Sequence, residues 1–212
     1  PTPWSTGRSV VHCCGPYRVP HVHTDIFAVA THNVYAGAFR GFGTPPVNFA
    51  TEQLMDMAAE KCGLDPVEFR IRNILSQGDE TVTGQVLDNH TVSTRQVMVA
   101  VLEKINFQSK VKNCSFGKGD TLYGIGFAVA YRGASVGAEA MDFCSCTINC
   151  QFDGSILLET GIYENGQGSQ SAMILVLADE LSVETDRIRY AESTTSRVPE
   201  GGTTVASRGT LM

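Results

Sequence analysis

Residues 141–183, MDFCSCTINCQFDGSILLETGIYENGQGSQSAMILVLADELSV, change hydrophobic period part-way along, and that change decides the fold class. In the first twelve residues Cys144, Cys146, Ile148, Cys150 and Phe152 alternate with Phe143, Ser145, Thr147, Asn149 and Gln151. A period of two, with one apolar and one mostly polar face, predicts a strand. Asp153-Gly154 favours the tight turn of a hairpin, so SILLETGIY (155–163) reads as the returning strand. After the glycine-rich ENGQG (164–168) the period lengthens. Met173, Val176, Leu177 and Leu181 then recur at helical spacing and predict a helix over 168–181. RIRYAES (187–193) reads as one more strand. A sheet covered by a helix is α+β, a two-layer α/β sandwich. On this reading Cys144, Cys146 and Cys150 are unmetallated core residues. Thiols spaced along a strand do not converge on one metal as a C-x-x-C turn does, and a buried thiol packs as a small hydrophobe.

Working outward, the basic, glycine-containing KVKNCSFGKGD (110–120) separates this half from the one before it. The expected organisation is a first domain over 1–108, a linker over 109–120 and a second domain over 121–212 that stops abruptly, as a fragment or one subunit of a larger assembly would. LYGIGFAVAYRG (122–133) is expected to open the second domain as a strand. In the first domain, SVVHCC and TDIFAVATHNVYAG are β-branched and partly alternating, so 1–36 is expected to be strand-rich. A helix should start near Thr44, which can cap it, with Pro45 in its first turn, Ala50, Leu54, Met57 and Ala58 on one face, and Gly63 as its stop. Asp65-Pro66-x-Glu68 resembles a capping box that starts a second helix, with Phe69 and Ile74 packing from it. SQGDETVTGQVLDNH (76–90) is a polar connector, and Thr94–Asn106 a third helix carrying Met98, Val101, Leu102 and Ile105.

Composition excludes several classes. The chain has 212 residues, 42% hydrophobic and 18% charged, which fits one large or two small globular domains and not a disordered chain. A net charge of −6 argues against a broad nucleic-acid surface. No apolar run reaches the roughly 18 residues a membrane span needs. PTPWSTGRSVV lacks the apolar core of a signal peptide. Seven cysteines, an odd number without the framework of a secreted scaffold, favour free thiols and the cytoplasm.

The loop GAFRGFGTPP (37–46) sets two phenylalanines and an arginine among glycines. One reading is a turn whose rings tuck into the core while Arg40 is solvated. The other is a ligand-lining loop, since glycine lets backbone approach a ligand closely. ENGQG (164–168) and GGTTVASRGT (201–210) both look like glycine-rich turns opening helices, where free amides and the dipole favour anions. Neither fits a nucleotide fingerprint, and taken singly each could be an ordinary helix start in which Gln167 or Ser207 merely caps. His21 and His23 sit two apart without the ligand pattern of an obvious zinc site, and no G-x-S-x-G elbow supports serine hydrolysis. Glu139 and Asp142 could form a carboxylate pair but do not stand apart from surface acids.

AFRGFGTPP, then EQLMDMAAEKCGLDPVEFRIRNIL, ETGIYENGQGSQSAMILVLADEL and TTVASRG, in this order and spacing, resemble the molybdenum-cofactor-binding part of the xanthine dehydrogenase/aldehyde oxidase family. The resemblance covers nearly the whole chain. It implies a hydroxylase that oxidises an aromatic N-heterocycle (purine or nicotinate type) or an aldehyde with water-derived oxygen. The molybdenum would be held by molybdopterin, in a cytosine dinucleotide form if the source is bacterial. By the same resemblance Arg40 lies beside the molybdenum through its backbone, and Phe42 and Phe127 face the substrate. Gly166, Gln167 and Gly168 hold the pterin-phosphate portion, and Ala206 and Ser207 pack near metal and pterin. Phe39, by contrast, is expected to anchor in the core.

The chain departs from the family pattern in three places. Ala128 stands where purine-oxidising members often carry a hydroxyl, which leaves the substrate open, and TPP replaces the usual Pro-Gln. The G-G-x-F-G-x-K segment and the general-base glutamate, which deprotonates the metal-bound hydroxyl, are expected outside this chain. Iron–sulfur clusters and FAD would reside on partner domains or subunits of an oligomer, so this chain alone is expected to be inactive. The alternatives are an accessory or degenerate cofactor-binding subunit without catalysis, and a purely structural two-layer domain.

Overall fold

A computed structural model describes residues 3–35, 37–113, 121–135, 142–205 and 207–211. They fall into two compact units, Pro1–Arg132 and Gly133–Met212. The segment 121–132, grouped with the second half on sequence, belongs to the first unit.

The first unit is helical. Helix α1 spans Pro3–Val11, α2 Thr44–Cys62, α3 Pro66–Asn73, α4 Thr94–Lys104 and α5 Phe107–Asn113. Helix α2 begins and ends where its glycines and prolines dictate. Gly43 is the N-cap residue, a proline occupies the first turn, and Gly63 closes the helix in the left-handed conformation. In α3 the Asp65 carboxylate accepts from the backbone N–H of Val67 at 2.9 Å and of Glu68 at 3.0 Å. Tyr17 and Ile74 form an isolated antiparallel bridge. Both are buried in a core with Ala59, Val67, Leu75, Leu87, Met98 and Phe107. Burying each such large aliphatic side chain contributes about 1.5–3 kcal/mol before entropy is counted.

Three expectations fail in this unit. SVVHCC does not form a strand: it lies at the end of α1 and in the turn after it, and Ser9 Oγ donates back to Ser5 O at 2.9 Å. TDIFAVATHNVYAG and LYGIGFAVAYRG form no strand and have no ladder partner among the described residues, and the first bends at His32 and Asn33. High β-propensity describes a side chain that suits a half-buried sheet surface, and it forms no strand where no neighbour pairs with it. On α2, Leu54 and Met57 are 62% and 55% exposed, whereas Thr44, Thr51, Glu52 and Ala59 are buried. The face turned inward is the one whose carboxylate meets Arg70, as described below.

The second unit is the two-layer α+β arrangement. Strands β1 (Cys146–Cys150) and β2 (Ile156–Thr160) pair antiparallel, with Cys146 opposite Thr160 and Cys150 opposite Ile156. The Asp153-Gly154 turn joins them, and Asp153 Oδ1 accepts from both the backbone N–H and the hydroxyl of Ser155. Helix α6 (Ser169–Leu181) and a 3-10 turn lead to β3 (Ile188–Tyr190), which pairs parallel to β2. Ile156, Leu158 and Ile188 from the sheet pack on Leu177 and Ala178 from the helix, with Met173 and Ile174 beside them.

The expected cysteine core is not observed. Every residue of β1 is exposed, Cys146 and Cys150 among them, Cys144 is half-buried and Phe152 is exposed. Strand order β1-β2-β3 makes β1 an edge strand, and the core formed by α6 draws on β2 and β3 only. Residues 207–211 form bends and turns. No described helix is long and apolar enough to cross a membrane.

Candidate functional site

In the first unit a cleft of about 440 Å3 opens between α1, the start of α2 and the loop after Gly37. Its walls include Ser5, Ser9, Phe27, Phe39, Arg40 and Phe42. Phe39 is 84% exposed, so it is a wall residue and not the expected core anchor. The loop's shape has a local cause. Gly41 and Gly43 both have positive φ, and a Cβ on Gly43 would lie 2.2 Å from Ser5 O. No other residue lets the chain pass so close to α1. Ser9 Oγ then donates to Gly43 O at 2.8 Å. The glycine expected to bring backbone to a ligand thus serves first to seat the loop on a helix, and Phe39, Arg40 and Phe42 reach the cleft as a result.

Phe42 is half-buried beneath the Arg132 guanidinium, whose central carbon lies 4.9 Å from the ring centroid. Arg132 Nη1 also donates to Phe42 O at 3.3 Å and to Thr44 Oγ1 at 2.8 Å. Phe127 does not line this cleft. Its ring packs edge-on against Phe107, with centroids 5.8 Å apart.

Behind the loop lies a buried charge network. Arg70 is fully buried, and its Nε donates to Glu52 Oε2 at 2.9 Å while Nη1 donates to Asp56 Oδ1 at 2.7 Å. Glu52 also accepts from Tyr17 Oη at 2.5 Å and from the Val129 N–H at 3.0 Å. Burial alone would lower the Arg70 pKa, but the carboxylates of Asp56 and Glu52 outweigh it and the net direction is upward. Burial, then the bond to Glu52, pushes the Tyr17 phenol up. The network fixes the register of the 127–132 segment against α2 and α3.

In the second unit the ENGQG turn closes on itself. Gln167 Nε2 donates to Tyr163 O at 2.9 Å, and its Oε1 accepts from the Asn165 N–H at 2.5 Å. The Glu164 carboxylate accepts from the N–H groups of Gly166 (2.7 Å), Gly168 (3.0 Å) and Gln170 (3.2 Å), and from the Ser169 hydroxyl (3.2 Å). Those bonds, with Gly168 and Gln170 contributing most, push the Glu164 carboxyl down to about 2. The amides expected to receive an anion therefore converge on one already, supplied by the chain itself.

Ser207 is exposed and its carbonyl accepts from the Ser135 N–H at 3.0 Å. Ala206 lies outside the described residues, as does Glu139. Asp142, considered as half of a carboxylate pair, instead accepts from Arg208 Nε at 2.9 Å. Buried Arg208 also donates to the carbonyls of Phe143, Gly201 and Thr203. Beneath this clamp Gly161 and Gly201 touch backbone to backbone, and a Cβ on Gly161 would lie 2.8 Å from Gly201 N.

Residues 1–74 and 100–212 each match a family of molybdopterin cofactor-binding domains. A probable xanthine dehydrogenase subunit of Bacillus subtilis is 33% identical over 204 residues, covering 96% of this chain and 27% of the relative. The nicotinate dehydrogenase large molybdopterin subunit of Eubacterium barkeri is 46% identical over 82 residues, 39% of this chain and 19% of that protein. The solved aldehyde oxidoreductase from Desulfovibrio gigas superposes with a TM-score of 0.76 at 28% identity, covering 97% of this chain and 22% of that one. The chain belongs to the xanthine dehydrogenase/aldehyde oxidase family. It spans about a quarter of the length of these relatives or less.

The second-unit turn presents amides that already bond an anion of the chain itself, the Glu164 carboxylate. A Cβ built on Gly166 or Gly168 meets no atom within 4 Å, so a large group can approach. Sequence reasoning missed Arg132, Arg208 and the Glu52–Arg70 pair. The available signal was a lone arginine inside an otherwise apolar or glycine-rich run, as in AVAYRG and ASRGT. A charge in such a setting needs a partner.

Proposed function

We propose that the chain supplies part of the cofactor shell and substrate wall of a molybdenum hydroxylase. The reaction is oxidation of an aromatic N-heterocycle (purine or nicotinate type) or of an aldehyde, with oxygen derived from water. The observation that carries this reading is the cleft where Phe39, Arg40 and Phe42 meet, in a chain of this family. Flat apolar walls beside a cation suit a planar polar substrate. The molybdenum of a bound molybdopterin supplies the electron acceptor and Lewis acid.

In this reading Arg40 borders the metal through its backbone and Phe42 stacks on the substrate, while Phe127, which packs against Phe107 outside this cleft, is a second substrate ring by family resemblance alone. Gly166, Gln167 and Gly168 receive the pterin-phosphate portion once Glu164 yields their amides, and Ala206 and Ser207 flank metal and pterin. The cofactor carries a cytosine dinucleotide if the source is bacterial. The general-base glutamate, iron–sulfur clusters and FAD come from other parts of a cytoplasmic, multi-component enzyme.

The test is Phe42→Ala in the intact enzyme, with turnover and molybdenum content measured together. Loss of the wall leaves the substrate misplaced, which costs on the order of 100-fold in rate, while metal content stays unchanged. Full activity, or parallel loss of metal and activity, would sink the assignment.

A further inference from the structure

Phe42 lies between Gly41 and Gly43, both at positive φ, so the loop backbone does not by itself dictate which way the ring faces. One side chain takes hold of this ring from outside the loop. We propose that Arg132 is the positioning residue for Phe42, a role that rests on the reading of Phe42 as a substrate wall. Its fork-shaped guanidinium makes three contacts at once. It covers the ring at 4.9 Å, donates to the carbonyl of the same residue at 3.3 Å, and donates to Thr44 Oγ1 at 2.8 Å. The first contact sets the tilt of the ring, the second the peptide that carries it, and the third ties both to the first turn of α2. Both bonds leave from Nη1, and the rigid guanidinium plane that carries Nη1 also covers the ring, so one group fixes all three contacts together.

Arg132 is itself held in register. Three residues earlier, the Val129 N–H donates to Glu52 Oε2, and Glu52 is locked by Arg70 and Tyr17. The neighbouring Tyr131 ring packs on buried His12, centroids 5.3 Å apart. A rigid ion-paired hub thus reaches the ring through a short segment. The guanidinium lies over one face of Phe42, and the ring also lines the cleft where a flat substrate would enter.

The experiment uses the intact holoenzyme with 4-fluorophenylalanine placed at position 42, comparing unaltered protein with Arg132→Met and Arg132→Lys. Arg132→Met should shift and broaden the fluorine resonance, because the cation over the ring and the bond to its peptide are both gone. Molybdenum content should be unchanged. Misplacement of the ring should appear in kcat, by up to about 100-fold, with KM little altered. Arg132→Lys keeps the charge without the fork and should fall between the two in both readouts. An unshifted, sharp resonance in Arg132→Met overturns the proposal, and so does a shifted resonance with unaltered kcat. Phe42→Ala, measured alongside, separates the two ideas. Full turnover in that variant refutes the substrate wall, while the resonance still decides whether Arg132 holds the ring.

Discussion

Replacing Arg70 with methionine keeps most of the side-chain volume and removes the fork. Glu52, 6% exposed, would then keep only the Tyr17 hydroxyl and the Val129 N–H as partners for a buried negative charge. Asp56 would lose a contact too, but its side chain is 57% exposed, so water replaces it and the loss there is at most about 1 kcal/mol. Removing one partner of a buried ion pair costs about 3–5 kcal/mol, chiefly because the other charge is stranded. A domain of this size has a total stability of about 5–15 kcal/mol, so the variant should sit near the edge of folding. Urea unfolding of the chain, followed by tyrosine fluorescence and circular dichroism, measures the loss. The second arm is Glu52→Gln combined with Arg70→Met, which removes the stranded charge but keeps an acceptor for Tyr17 and Val129. It should be more stable than Arg70→Met alone, with a coupling of about 0.5–3 kcal/mol. A loss below about 1 kcal/mol in the single variant, or no recovery in the double, would refute the view of this network as the anchor of the first unit.

Gly201→Ala puts a Cβ 2.9 Å from the Gly161 Cα and carbonyl carbon, where backbone cannot step aside, and should cost about 1–3 kcal/mol by overpacking; an unchanged melting temperature would contradict this. The Glu164 carboxyl titrates at about 2 when folded, against an ordinary value of 4.5. A depressed folded pKa means that its stabilisation of the 164–170 turn is fully present above pH 4.5 and is lost as pH falls through about 2. The exchange protection of the Gly166, Gly168 and Gln170 amides, relative to their intrinsic rates, should fall over that window in the unaltered protein, and in Glu164→Gln it should already be low at pH 6; equal protection in both would remove Glu164 from the account.

Where local chemistry decides the backbone, the chain could be read residue by residue. Pro45 and Gly63 bound α2, although Gly43 and not the expected Thr44 is its N-cap; Asp65 caps α3, and Asp153-Gly154 folds the β1–β2 hairpin, because each rule acts within four or five residues. The family was legible in the same way, from FRGFG, GQG and ASRG in order. The apolar face of α2 was misread because periodicity reports that a helix has faces, not which one this unit covers; the Glu52–Arg70 attraction, between residues 18 apart, chose the other. The β1 cysteines were placed in the core because alternation cannot tell an edge strand from a central one, and the core formed by α6 draws only on β2 and β3. The runs 24–37 and 122–133 have strand composition, but among the described residues they have no strand partners, since ladder pairing is a property of two segments and composition of one. Arg40 and Phe42 could be singled out as candidates from their loop alone. That Arg132 lies over Phe42, 90 residues away, follows only from the packing of a distant segment onto α2, which no local pattern encodes.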